Sequence, residues 1–189
     1  PEIDLADDVD PHDDRVYAQG ARAFTKLVAD GVLVEDDSAC FYIYQLTMGD
    51  HRQTGIVLLA SVDDYDRNVV RKHELTRPDK ENDRVRHMEA LRAQSGTVFL
   101  CHRDSAVLSE VVGRVTAGRP TYDFVAADGI AHRAWVVPGA ADIACVQSAF
   151  QALGPIYIAD GHHRSAAASR VAAMQAQRGV HHPRAEGFL

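Results

Sequence analysis

The sequence predicts an α+β protein with a mixed or antiparallel sheet and flanking helices. Two hairpin signals support this class, because the strand-like residues of 41–62 and of 121–137 are each interrupted by a turn dipeptide of Gly and Asp. Helix-like segments lie between and around these hairpins, so strands and helices do not alternate strictly as they do in parallel βαβ proteins. The length of 189 residues is enough for one sizeable core or for two small domains. We expect residues 1–189 to form a single domain.

The N-terminal part is predicted to form a helix that is followed by the first hairpin. Asp10-Pro11 is a suitable helix start and Gly31 is a suitable stop. Apolar residues at helical spacing define one face of this helix, namely Tyr17, Ala21, Phe24 and Val28. The strands of the hairpin are predicted over 41–48 and 54–62.

The middle of the chain is predicted to add a strand, a helix and the second hairpin. Residues 97–101 are strand-like, and Ser105 is a suitable cap for a helix with an apolar face. That face is predicted to carry Val107, Leu108, Val111, Val112 and Val115. Trp135, in the second hairpin, is expected in the core or at an interface. A further helix precedes residue 155, with an inner face formed by Ile143, Val146 and Phe150.

Composition and charge exclude several classes of function. The formal net charge of −7 argues against non-specific nucleic-acid binding. No segment approaches the roughly 18 uninterrupted apolar residues of a transmembrane helix, so no membrane partner is expected. The three cysteines, Cys40, Cys101 and Cys145, are widely separated and form no CxxC pair, so neither a zinc site nor a disulfide framework is expected. This cysteine usage predicts a reducing, cytoplasmic location.

The sequence is expected to be a piece of a longer polypeptide. It has no initiator Met and opens with acidic residues rather than with a signal peptide. Residues 187–189 resemble the start of another strand. A C-terminal part is therefore expected to be absent, and it would help to complete a functional site.

Residues 155–178 form the stretch around which we expect the functional site to be organised. Residues 155–159 are a short apolar run typical of a buried strand, Asp160-Gly161 is a turn signal, and 165–178 has the alanine-rich spacing of a packed helix. A strand, a sharp turn and a helix start leave free backbone N–H groups at the positive end of the helix dipole. The pattern therefore predicts a phosphate site, and the alternative is a plain capped turn with surface histidines.

The turn itself is dense in reactive side chains. Asp160 offers a carboxylate that could orient a metal ion, His162 and His163 offer imidazoles, and Arg164 offers a guanidinium. Two adjacent histidines and an arginine directly after a buried strand favour a binding or catalytic function over a plain turn. No GxxxxGK[ST] and no GxGxxG motif is present, so neither a P-loop nor a dinucleotide fingerprint is expected.

A second polar cluster spans residues 71–87. One interpretation is a solvated loop leading into a helix, with Val85, Met88 and Leu91 directed inward. Pro78 prevents a regular helix before it. The functional interpretation is a loop in which Glu74 serves as a base. Four further residues would then donate hydrogen bonds to phosphate oxygens, namely Lys72, His73, Thr76 and Arg84.

The residues from Asp160 to Arg164 carry a family resemblance. The stretch Asp-Gly-His-His-Arg resembles a bacterial and archaeal family of domains of unknown function, number one thousand and fifteen, and the likeness covers most of residues 12–189. That family is similar to the ParB/sulfiredoxin-like fold, in which a Gly-x-x-Arg helix start contacts nucleotide phosphates. The resemblance assigns these two positions to Gly161 and Arg164. No cysteine lies beside the motif, which argues against sulfiredoxin chemistry.

The same motif is similar to that of archaeal ADP-dependent free-serine kinases. This resemblance implies that Asp160 is catalytic and that Glu74 is the base. The expected activity is a nucleotide-dependent phosphotransfer to a small hydroxyl compound such as free serine or a polyol, with ATP or ADP as the nucleotide and Mg²⁺ held at Asp160. Nucleotide contacts are expected from Gly161, His162, His163, Arg164, Lys72, His73, Thr76 and Arg84. The alternatives are a ParB-like nucleotide switch without an acceptor, and an interaction domain that binds no nucleotide.

Overall fold

The structure is a computed structural model that describes residues 4–179 of the chain. Its helices are α1 (Asp14–Ala29), α2 (Val62–Asp66), α3 (Pro78–Leu91), α4 (Ala106–Thr116), α5 (Ala140–Leu153) and α6 (His162–Gln177). Its strands are β1 (Phe41–Met48), β2 (His51–Val57), β3 (Val70–Arg71), β4 (Phe99–Cys101), β5 (Tyr122–Val125), β6 (Ala131–Val137) and β7 (Ile156–Asp160). The predicted α+β class is confirmed. The strand expected at 187–189 lies outside the described residues.

The chain divides into two compact units. The first unit consists of Pro1–Glu35, Ala60–His102 and Pro155–Leu189, and the second consists of Asp36–Leu59 and Arg103–Gly154. Each unit has its own sheet and its own clusters of buried apolar side chains. The expectation of a single domain stays a prediction. Along the described part of the chain, no helix has the length and apolar character needed to cross a membrane.

The second unit is built on a four-stranded antiparallel sheet. Its strand order is β2-β1-β6-β5, so both predicted hairpins are confirmed and β1 pairs with β6 at the centre. Trp135 is buried in the core of this unit, and its Nε1–H donates to the carbonyl of Gly118 at 3.0 Å. Helices α4 and α5 pack together through their own buried cluster, which consists of Leu108, Val111, Val146 and Ala149.

Two details of this unit and its flanks differ from the predictions. Strand β2 spans His51–Val57 rather than the predicted 54–62, and Val62 begins the short helix α2. On α4, Leu108 and Val111 are buried as expected, but Val107 is 46% exposed. A valine-rich helix has too many apolar residues for one face, so spacing alone does not identify the residue that remains in solvent.

The first unit contains a three-stranded mixed sheet in the order β3-β7-β4. Strand β7 lies in the middle, parallel to β3 and antiparallel to β4. Ile158 on β7 is 1% exposed and packs with Tyr65, Val70 and Ala166. Strand β3 has only two residues, which is too short for a period-two pattern, and the sequence did not predict it.

Helices α1, α3 and α6 complete the first unit. Val85 and Met88 of α3 pack against Ala167 and Ala168 of α6, which confirms the predicted inner face of α3 at these two positions. Proline begins α3, where its missing N–H costs nothing. On α1, Tyr17 is buried as predicted, whereas Val28 is 51% exposed, so the predicted apolar face is wrong at its C-terminal end.

Candidate functional site

The candidate site lies in the first unit, where β7 passes into α6. The strand ends with Asp160, Gly161 is the N-cap, and the helix begins at His162, three residues earlier than the predicted start at 165. Gly161 has φ +103°, a conformation that side chains other than hydrogen rarely adopt. A Cβ at this position would also lie 3.3 Å from the Cα of Val98. Glycine is therefore required here by both backbone conformation and space.

The side chain of Arg164 folds back from α6 over the C-terminal end of β7. A Cβ on Gly161 would lie 3.0 Å from its Nη2, and a Cβ on Gly96 would lie 3.0 Å from its Cδ. Nη2 donates to Oδ2 of Asp160 at 2.6 Å in an i,i+4 ion pair. The Nε of Arg164 is buried and has no hydrogen-bond partner among the described residues. One guanidinium N–H group is thus desolvated and unpaired, which costs free energy.

The first turn of α6 keeps its backbone donors available. No side chain caps Gly161, and the first turn contains no acidic residue. The N–H of Ser165 closes the first helical hydrogen bond on the carbonyl of Gly161 at 2.9 Å. The N–H groups of the preceding residues have no partner within the helix, as at any helix start. This end of α6 therefore suits a negatively charged group.

His162 faces the protein interior and contacts the loop of the second polar cluster. Its side chain is 4% exposed, and its ring lies edge-to-face with His73 at a centroid distance of 4.5 Å. Its Nε2 accepts a long hydrogen bond from the backbone N–H of His73 at 3.5 Å, and its Nδ1 lies 3.5 Å from Oε2 of Glu74. Burial, assisted by His73, lowers the pKa of His162, while the carboxylates of Glu74 and Asp160 oppose this shift.

His163 makes the second connection to the same loop. Its Nε2 accepts a hydrogen bond from the backbone N–H of Arg77 at 3.1 Å. Two neighbouring imidazoles at the start of α6 thus hold residues 73–77, which we call the latched loop, against the helix. The two polar clusters singled out in the sequence meet at this point. Both histidines use a ring nitrogen to accept from the loop backbone.

The other predicted residues of the second cluster have defined partners. The Nζ of Lys72 lies 3.8 Å from the centroid of the Tyr65 ring. The hydroxyl of Thr76 donates to Oε2 of Glu81 at 2.9 Å, and Glu81 accepts from Arg170 at 2.8 Å. These contacts shape the latched loop and its flanks. The Glu74 side chain is 57% exposed, so its carboxylate is open to solvent.

A small polar cavity adjoins Arg164. Its volume is about 100 Å³, and its lining consists of Arg84, His87, Met88, Gln94, Ser95, Gly96 and Arg164. Of these residues, the sequence identified only Arg84 and Arg164 as candidates. The loop that connects α3 to β4 contributes Gln94, Ser95 and Gly96, and it carries no charged cluster or motif there. The one available signal was Gly96 in a polar loop shortly before the strand-like residues 97–101.

Comparison with protein-family models decides the family of the chain. Residues 1–188 match the model described as "Protein of unknown function (DUF1015)". The chain belongs to this family. Comparisons of this DUF1015 protein with curated proteins and with solved structures give no match. The likeness noted in the motif from Asp160 to Arg164 is therefore confirmed at the level of the family.

The DUF1015 site offers few ligands for a metal ion. Within residues 4–179, no group of three or more His, Cys, Asp or Glu residues is arranged to hold one. Asp160 could supply one oxygen, although its carboxylate is already paired with Arg164. Mg²⁺ commonly uses one or two carboxylates together with substrate phosphates and water. The side chains therefore fit Mg²⁺ only as an ion that the phosphates of a nucleotide would hold in large part.

Proposed function

We propose that this protein is a nucleotide-dependent phosphotransferase that acts on a small hydroxyl compound, such as free serine or a polyol. ATP or ADP would be the phosphoryl donor, and the fold around β7 and α6 would be ParB/sulfiredoxin-like. One observation carries the proposal: the loop that holds Glu74 is hydrogen-bonded to the first turn of α6, beside the ion pair of Asp160 and Arg164. The carboxylate of Asp160, the potential base Glu74 and several hydrogen-bond donors for an anion thus lie in one small region.

The start of α6 would bind the phosphates of the nucleotide. Phosphoryl transfer requires mainly that the reacting groups are positioned and their charge is neutralised. The uncapped N–H groups after Gly161, the guanidinium of Arg164 and the cationic cavity beside it supply such donors. A cavity of about 100 Å³ is smaller than the roughly 300–1,000 Å³ of a drug-sized pocket. The nucleoside would therefore lie outside it.

The two carboxylates would have different roles. Asp160 would orient the phosphoryl group, through a phosphate-bound Mg²⁺ or through Arg164, and would hold the accepting hydroxyl in place. Glu74 is exposed and would take the proton of that hydroxyl. Oε2 of Glu74 lies 3.5 Å from Nδ1 of the buried His162, and Asp160 ends the strand two residues before that histidine. His162 and His163 would fix the distance between the loop and the helix.

Turnover by Glu74→Gln tests the proposal. Loss of a general base typically costs about 10²–10⁴-fold in rate, so we expect kcat to fall by at least 10²-fold while nucleotide affinity changes little. The measurement is nucleotide consumption with Mg²⁺, in the presence and absence of serine and polyols. Glu110→Gln, at an exposed glutamate in the second unit, is the matched control and should retain full activity. Equal turnover in Glu74→Gln and the parent protein would remove Glu74 from the mechanism.

A nucleotide switch without an acceptor is the second candidate. It is favoured by the ion pair of Asp160 with Arg164, which engages the proposed catalytic carboxylate as long as no ligand displaces it. A switch would use the same phosphate donors and would not need Glu74. Stimulation of nucleotide turnover by a small alcohol supports the phosphotransferase. A nucleotide-dependent change in self-association, without such stimulation, supports the switch.

A further inference from the structure

The cavity beside Arg164 has the chemistry of an anion site. Two arginines, Arg84 from α3 and Arg164 from α6, contribute to its lining, together with His87. The uncharged donors Gln94 and Ser95 come from the loop that follows α3. None of the described residues that line the cavity is a carboxylate. The side chains that line this cavity come from two helices and one loop, and together they favour a negatively charged ligand.

The position of Arg164 strengthens this argument. Asp160 engages only Nη2, and the buried Nε has no partner among the residues that the structure describes. Gly96 allows the loop to approach the Cδ of Arg164 so closely that a Cβ there would lie only 3.0 Å away. The arginine is thus held in place by Asp160 and by the close approach of Gly96 and Gly161. An arginine fork prefers planar or tetrahedral oxyanions as acceptors.

We propose that this cavity binds one phosphate-like oxyanion, held by Arg84, Arg164, Gln94 and Ser95. For its physiological ligand the inference rests on the proposed function, because a phosphoryl group of the nucleotide would then occupy the cavity. The binding itself requires no turnover. The volume of about 100 Å³ suits one small group and is well below the roughly 300–1,000 Å³ of a drug-sized pocket. The site adds Gln94 and Ser95 to the residues that contact phosphate, neither of which belongs to a motif.

Titration with inorganic phosphate, in the absence of nucleotide, tests the assignment. Calorimetry or amide chemical shifts at low ionic strength should show saturable binding to the parent protein. Arg84→Gln removes one charged donor and should weaken this binding by about tenfold or more. The Arg84 side chain is half exposed, and its ion pair with Asp83 is long, at 3.9 Å. Loss of this contact should therefore cost little stability, and circular dichroism would verify that the variant folds normally.

Arg67→Gln is the matched control. The Arg67 side chain is 71% exposed and also pairs with an aspartate, Asp64, but it does not line the cavity. It should bind phosphate within about twofold of the parent protein, since an exposed ion pair contributes little. Gln94→Ala should weaken binding without any change in net charge. Absence of saturable phosphate binding, or equal weakening in Arg84→Gln and Arg67→Gln, would overturn the proposal.

Competition identifies the source of the oxyanion. If ATP or ADP displaces inorganic phosphate, the cavity receives a phosphoryl group of the nucleotide. If phosphate and nucleotide bind without competition, the cavity is a site for a free oxyanion, and the assignment of the cavity still stands. The two proposals fail separately: phosphate binding without any acceptor-dependent turnover would reject the phosphotransferase and retain the anion site.

Discussion

The backbone conformation of Gly161 determines how Arg164 is placed in the candidate site. A residue with a side chain would require an unfavourable left-handed backbone and would press against Arg164 and the Val98 backbone, at 3.0 Å and 3.3 Å from its Cβ. Glycine therefore does two things here: it allows the chain to turn sharply from β7 into α6, and it leaves space for the guanidinium over the strand end. Arg164 lies four residues after Asp160, so its guanidinium can return to that carboxylate, and it passes over Gly161 on the way.

Gly161→Ala should lower both stability and anion binding. A left-handed alanine alone costs about 1–2 kcal/mol, and displacement of Arg164 adds to this cost. Gly31→Ala is the control, because Gly31 has φ +70° and a Cβ there would meet nothing within 4 Å, so only the backbone cost applies. Denaturant unfolding should show a larger loss for Gly161→Ala than for Gly31→Ala. Equal losses would mean that Arg164 moves aside without cost.

The sequence identified the motif residues of the site but not the whole site. Asp160, Gly161 and Arg164 are close together in the chain, so local spacing was enough to connect them. Gln94 and Ser95 approach Arg164 only because β4 pairs with β7 and brings the preceding loop alongside. No periodicity or motif encodes that pairing. Residues that join a site through the sheet register are therefore the ones that sequence reasoning missed.

The same distinction applies to the elements. The second hairpin was predicted close to the observed bounds of β5 and β6, whereas β2 spans His51–Val57 and not the predicted 54–62. The segment 71–87 was interpreted as a polar loop leading into a helix, but Pro78–Leu91 is helical, so the prediction that Arg84 lies on a loop is wrong. The start of α6 was predicted too late, because His162 and His163 have the composition of a polar turn. In the structure their rings serve as hydrogen-bond acceptors for the latched loop, and their backbone is helical. Tertiary hydrogen bonds thus extended the helix beyond the alanine-rich segment.

The latched loop should respond to pH through His162. Its pKa is lowered, so as pH falls below the ordinary value of about 6.5 the unfolded chain takes up the proton first. The stabilising effect of neutral His162 is therefore fully present above that value and is lost as pH falls toward the lowered folded pKa. A protonated His162 also cannot accept from the N–H of His73. The protection factors of the latched-loop amides, which correct for the intrinsic pH dependence of hydrogen exchange, should fall in this window.

His162→Gln provides the test, because glutamine does not titrate. The pH dependence of the free energy of unfolding should become shallower below pH 6.5, by at most about 1.4 kcal/mol per pH unit for one proton. The groups that act on His162 are His73, Glu74, His163 and Asp160, so the variant should be compared with the parent at each pH. His51→Gln, at an exposed position in β2, should leave the slope unchanged. An unchanged slope in His162→Gln would contradict this interpretation.

At the scale of the whole molecule, the two units are interleaved along the chain. The segments Asp36–Leu59 and Arg103–Gly154 of the second unit connect the three segments of the first. When the second unit is folded, the two ends of each connecting segment are held at fixed positions. When it unfolds, each connecting segment becomes a flexible loop, and the first unit must then keep the ends of these loops together at a cost in entropy. We therefore expect the two units to unfold together, although each has its own buried clusters.

Leu108→Ala should reveal this coupling. Leu108 is 3% exposed in the second unit, and truncation of a buried leucine costs about 2–5 kcal/mol. Fluorescence of Trp135, the single tryptophan of the chain, reports the unfolding of the second unit. Hydrogen exchange of α6 amides reports the unfolding of the first unit.

Val107→Ala on α4, at a half-exposed position, is the control and should change stability by only about 0.5 kcal/mol. In Leu108→Ala both probes should shift together. A lower midpoint for Trp135 with unchanged protection of α6 would show instead that the first unit, with the candidate site, is stable by itself.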